Sequence, residues 1–162
     1  MLQAVFVVLS LVTLGAAVLV VTSRSLFRSA LWLILAFFGI AAIFILLNAE
    51  FLAVVQVLVY IGAISTLIIF AIMLSRNVMN LNEQRFNHQW GVVAGFATLL
   101  FVIFLALVTR VRWPVSAEPV PPDAIARLGE AFVGPYVVPF EVASVLLVVA
   151  MIGAIIIARE RE

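Results

Sequence analysis

Residues 51–75, FLAVVQVLVYIGAISTLIIFAIMLS, run for 25 positions without a single charge. At about 1.5 Å per residue, such a run crosses a hydrocarbon core of about 30 Å as a helix with length to spare. Four further apolar runs accompany it, at about 2–22, 29–47, 90–109 and 137–158. They are continuous rather than alternating, so the membrane β-barrel pattern is missing. Helices are the only way to satisfy their backbone in lipid. The expected fold is an all-α membrane protein, one integral domain over residues 1–162 with five transmembrane helices. Sixty-seven per cent of residues are hydrophobic and only 10% are charged, far too few for the surface of a soluble domain of this size. The first run lacks a basic leader and is longer than a signal-peptide core, so it reads as a retained span.

Composition removes several function classes. The net charge of +1 gives nucleic-acid binding no electrostatic support. Cysteine is absent, which excludes disulfides, thiolate metal sites and iron–sulfur clusters held by this chain. One histidine cannot ligate a haem from both sides. No Ser/His/Asp set, phosphate-binding glycine loop or paired carboxylates within one span occur, so an autonomous enzyme is not indicated.

The connections carry the charge. All nine basic residues are arginines. Arg24, Arg28, Arg76, Arg85, Arg159 and Arg161 fall on one side of the five-span scheme; Arg110, Arg112 and Arg127 fall on the other. The positive-inside rule then places the N-terminus outside and the C-terminus in the cytoplasm. Residues 48–50 form a tight turn, making spans two and three an antiparallel pair. The segment WPVSAEPVPP, 113–122, reads as proline-stiffened extended chain. After it, Asp123 can cap a short amphipathic helix near 124–132 that lies at the membrane interface. His88 falls in the polar loop 76–89, as a solvated or headgroup-level side chain.

The third span holds polar groups at membrane depth, where each needs a partner or a purpose. By α-helical spacing Gln56, Tyr60, Ala63 and Leu67 share one face. Gly62 pairs with Thr66 at i+4 and with Ser65 at i+3, in the small-residue pattern that lets helices approach. Helix packing is the simplest reading of Gly62, Ser65 and Thr66. A phenol at Tyr60 followed by a helix-weakening glycine also suits a π-bulge at 60–62. Gly39 with Ala42, and Ala150, Gly153, Ala154 and Ala158, read as packing seams. The carboxylates nearest the spans are Glu50 and Glu141. With Asn48 capping span three and Pro139 opening span five, each falls in a first helical turn, where acids stabilise the N-terminus. A proton-relay role is the alternative, and Glu141 suits it better because Phe140 and Val142 flank it.

Two segments together resemble a known family. AEFLAVVQVLVYIGAISTLIIFAIML, 49–74, is similar to the third transmembrane helix of subunit J of proton-pumping NADH:quinone oxidoreductase (respiratory complex I; the mitochondrial subunit 6). PFEVASVLLVVAMIGAIIIAR, 139–159, resembles its last helix. The resemblance implies a membrane-arm subunit without a cofactor of its own. Its partners would be the quinone-chamber subunit, the three-span subunit K and antiporter-like subunits, with FMN, iron–sulfur clusters and quinone held by partners. It implies a bacterial inner membrane, or a mitochondrial inner membrane if organellar. It further implies a π-bulge beside the tyrosine matching Tyr60 and a helix that rotates to open or close a water wire. Tyr60 and Gly62 would be the switch, with Val59 and Ile61 exchanging places. Gln56 departs from members that carry Glu there, which favours gating over proton carriage for this helix. Two alternatives are a purely structural scaffold in a related quinone- or hydrogenase-linked complex and a small autonomous transporter. The absence of charge away from helix ends, and of any repeat, disfavours the transporter.

Overall fold

The computed structural model describes residues 1–75, 89–111, 121 and 123–159. The loop residues Arg76, Arg85 and His88, most of the proline-rich segment and residues 160–162 lie outside the described residues. Six helices are present among those described: α1 (Leu2–Thr22), α2 (Leu26–Leu46), α3 (Glu50–Leu74), α4 (Trp90–Arg110), α5 (Ala124–Val133) and α6 (Val137–Ala158). Five of them, all except α5, are long and apolar enough to cross a membrane.

The chain divides into two compact units, 1–116 and 117–162. In the first, α1 packs along α2, and α2 packs along the whole length of α3. The core between them is made of small residues: Ala16, Ala30, Ala36, Gly39, Ala41 and Ala53 are all buried. Without a hydrophobic drive between helices in lipid, close backbone approach is what gains dispersion energy, and small side chains permit it. The closest approach is at Gly39. A Cβ built there would overlap the Thr13 hydroxyl and come within 3.0 Å of the Thr13 Cβ. Thr13 in turn donates its hydroxyl to the Leu9 carbonyl at 2.7 Å, so it brings no unsatisfied group into the seam. No residue of α4 is buried.

Helix boundaries differ from the sequence expectation in instructive places. α2 begins at Leu26, not at residue 29, after Ser25 in extended geometry. Arg28 is tolerated in the first turn because a long side chain can carry its charge away from the helix. Asn48 does not cap α3. It ends α2 instead: its φ of 56° is left-handed, its N–H donates to the Ile45 carbonyl at 3.0 Å, and the Ala49 N–H donates to the Phe44 carbonyl at 2.9 Å. This is the paired 6→1 and 5→2 closure of a Schellman motif, with Asn in the position that usually takes Gly. Ala49 is the N-cap residue of α3, and it offers no side-chain cap.

In the second unit, α5 and α6 meet at a tight turn in which the Tyr136 N–H donates to the Ala131 carbonyl at 2.9 Å. The Phe132 and Phe140 rings stack across it, with centroids 5.9 Å apart. Asp123 stands at the N-cap position of α5 but makes no capping hydrogen bond. Its carboxylate accepts from Arg127 Nε at 2.9 Å, one turn on. α6 starts at Val137, two residues before Pro139, so Pro139 does not open it. Glu141 is consequently the fifth helical residue, beyond the first turn. Proline is accommodated at the third position because the N–H it lacks would have had no partner there.

Candidate functional site in the third helix

α3 is not one regular helix. An α-helical turn, Glu50–Val55, leads into nine π-helical residues, Gln56–Ile64, and α-helix resumes at Ser65–Leu74. The expected irregularity at 60–62 is thus embedded in a longer segment. π-helix is rare and appears mostly as single turns at functional sites. Here it sits in mid-span, where every backbone group must find its partner inside the protein.

The wider turn changes which side chains share a face. Nine residues make two and a half turns of α-helix, so Gln56 and Ser65 would stand on opposite sides of a regular helix. With i→i+5 bonding the same nine residues make about two turns. Both side chains are in fact buried, Gln56 at 6% exposure and Ser65 at 2%. The face read from α-helical spacing, Gln56–Tyr60–Ala63–Leu67, is therefore not a common face: Gln56 is buried while Ala63 and Leu67 are exposed. Ser65 likewise separates from Gly62 and Thr66, which are both exposed. This pairing of Gln56 with Ser65 escaped sequence reasoning, because spacing yields it only once the π geometry is known.

The hydrogen bonds follow the changed register. The Tyr60 carbonyl accepts from the Ser65 N–H and, at 2.8 Å, from the Ser65 hydroxyl, both five residues on. Thr66 donates to the Gly62 carbonyl, the ordinary i−4 pattern. The Tyr60 ring packs edge-on against Phe37 of α2. Val59 is exposed and Ile61 half-buried. A Cβ at Gly62 would meet only the Val57 carbonyl oxygen, at 3.5 Å, so the chain itself has room for a Cβ there.

The two acids lie on different helices, Glu50 on α3 and Glu141 on α6. Glu50 lies in the first turn of α3, as expected, and borders an open apolar groove of about 350 Å³ lined also by Ile45, Ala53, Val54, Val57 and Leu58. Glu141 is exposed on α6, where its carbonyl accepts the Ser144 hydroxyl at 2.8 Å. Ala150 and Ala154 are exposed and Gly153 is half-buried with nothing within 4 Å of an added Cβ. Among the described residues no group of three or more His, Asp or Glu side chains could hold a metal ion.

Residues 16–157 match the family model for NADH-ubiquinone/plastoquinone oxidoreductase chain 6. The chain belongs to this family. It is 39% identical to the F(420)H(2) dehydrogenase subunit J of Methanosarcina mazei, over 96% of this chain and 90% of that protein. It is also 39% identical to the NAD(P)H-quinone oxidoreductase chain 6 of Synechocystis sp., over 95% of this chain and 79% of that one. A chloroplast relative, subunit 6 of Mesostigma viride, is 37% identical over 76% of this chain and 66% of its own length. As a chain 6 protein it is a membrane subunit of an oxidoreductase complex, working with other subunits rather than alone. Its apolar helices accord with that setting.

Proposed function

We propose that this chain 6 subunit couples quinone reduction to proton translocation by a change of helical register in α3, and carries no electrons itself. The single observation that carries the reading is the nine-residue π segment in the middle of an otherwise apolar span. A π turn and an α turn of the same residues differ in how far they rotate the downstream helix. Interconversion therefore turns the side chains beyond it relative to those before it. Val59 and Ile61 exchange places against their neighbours, Tyr60 and Gly62 form the pivot, and the exchange opens or closes a path for water. Gln56 supplies no ionisable group to that path, so α3 gates protons rather than carrying them.

The partners in this reading are the quinone-chamber subunit, the three-span subunit K and the antiporter-like subunits, with FMN, iron–sulfur clusters and quinone on partner chains. Glu141 is the acid of this chain best suited to touch a proton path, since its place on α6 removes the first-turn role. The two relatives of equal identity are named for different donors, F(420)H(2) and NAD(P)H. That supports a role tied to the quinone end rather than to the donor. The arginine distribution supports a cytoplasmic C-terminus, and the membrane is the bacterial inner membrane or its organellar counterpart.

The test is Gly62→Val in the assembled complex. The chain has room for an added Cβ, so an effect that Gly62→Val shares with Gly62→Ala reports the register change or packing on a partner rather than an internal clash. Protons moved per electron should fall while electron transfer to an artificial acceptor upstream of quinone stays intact. Unchanged proton stoichiometry in a fully assembled complex would reduce α3 to a scaffold.

A further inference from the structure

We propose that Ser65 is the positioning residue that holds the third helix in its π register. The inference rests on the register change proposed above, yet its own evidence is separate. Six other helical hydroxyls have described backbone acceptors. Thr13, Thr22, Thr66, Thr98 and Thr109 reach the carbonyl four residues back, at Leu9, Val18, Gly62, Ala94 and Leu105. Ser144 reaches three back, to Glu141. These are the bonds that hydroxyls make inside α-helices. Ser65 alone among them reaches five back, to the Tyr60 carbonyl at 2.8 Å. That acceptor lies within reach only when the turn is widened.

Two further features make the bond selective for one register. The Tyr60 carbonyl already takes the Ser65 N–H, so backbone and side chain of one residue close the same π turn at its exit. The hydroxyl is also the most enclosed side chain described, at 2% exposure, on the face that α2 covers together with Gln56. In a regular helix Ser65 would turn half a revolution from Gln56 and leave that face. Its hydroxyl would then find the ordinary i−4 acceptor instead. The π register thus gains a buried, doubly donated carbonyl and a small side chain that fits the seam. The α register gains neither. Serine suits this position because it is both small enough for the contact and able to donate.

The experiment images the assembled complex by cryo-electron microscopy in three forms, wild type, Ser65→Ala and Thr66→Ala. Particles are sorted by the register of residues 56–64, and proton pumping is measured in parallel. Ser65→Ala loses a bond in either register, but only the π register buries it, so the α-to-π population ratio should rise by about two- to threefold over wild type. Thr66→Ala removes an exposed i−4 bond next to Ser65 and should stay near wild type. Equal ratios in Ser65→Ala and wild type would overturn the latch whatever pumping does, as would a Thr66→Ala ratio matching that of Ser65→Ala. A shifted register with unchanged pumping would leave the latch standing and remove the coupling role of the register change.

Discussion

The Tyr60 ring stands edge-on to Phe37, with centroids 5.5 Å apart and planes at 75°. The arrangement points the positive edge of one ring at the negative face of the other, worth about 0.5–1.5 kcal/mol beyond the area buried. It ties the middle of the π segment to α2. Tyr60→Phe keeps the ring and should change the thermal stability of the assembled complex little. Phe37→Ala and Tyr60→Ala should each lower it. Their double mutant should lose less than the sum of the two, by about 0.5–1.5 kcal/mol. Strict additivity would mean that the two rings are neighbours without energetic coupling.

At Gly39 the neighbouring helix leaves no room for a side chain. Gly39→Val would drive two methyl groups into Thr13, and the overpacking should cost about 1–3 kcal/mol. The amount of this subunit recovered in purified complex reports the loss. Thr13→Gly in the same chain removes the obstructing atoms and should restore part of the yield. A Gly39→Val chain that assembles normally would mean that α1 and α2 separate freely.

Five spans could be read from apolar length alone, and the α2–α3 hairpin from the brevity of residues 48–50. The assignments that moved are those decided by one or two backbone hydrogen bonds. Asn48 fits a helix start and a helix stop equally well by residue type. Its left-handed φ assigns it to the stop, which an apolar pattern cannot convey. Pro139 is an acceptable first, second or third helical residue, so its presence could not place Glu141 within a turn. At the candidate site, the Tyr60–Gly62 pair was visible as a phenol beside a glycine in mid-membrane. Gln56 with Ser65 was not, because periodicity analysis assumes about 3.6 residues per turn and their common face exists only in a wider helix.

Asn48 adopts its left-handed conformation because a short polar side chain tolerates it. Asn48→Val should destabilise the hairpin by about 1–2 kcal/mol. Asn48→Gly should be neutral within about 0.5 kcal/mol, since glycine is the usual residue at such helix ends. Thermal melting of the complex, followed by retention of this subunit, separates the two. Equal losses would point to a role for the amide side chain itself.

The two acids should part company on neutralisation. Glu50→Gln removes a negative charge from the first turn of α3 and should cost about 0.3–1 kcal/mol of stability, with turnover near normal. Glu141→Gln alters an exposed position beyond the first turn of α6, so assembly should be unchanged. Proton pumping should instead fall by about tenfold or more, as when a positioned proton-transfer group is lost. Pumping is followed by dye quenching in vesicles, and assembly by native electrophoresis. Full pumping by Glu141→Gln would take Glu141 off the proton path.

Asn48 has one more consequence. Its closure anchors the leading end of α3 to α2, and Glu50–Val55 continues from that anchor as ordinary helix. The span then behaves like a torsion rod clamped at one end. Any unwinding within Gln56–Ile64 cannot be relieved backwards through the clamp, so it must emerge forwards. Ser65–Leu74 is the output shaft, and the twist is delivered at Leu74. A spin label at Leu74 would swing through the stroke, whereas one at Ala49 would stand still.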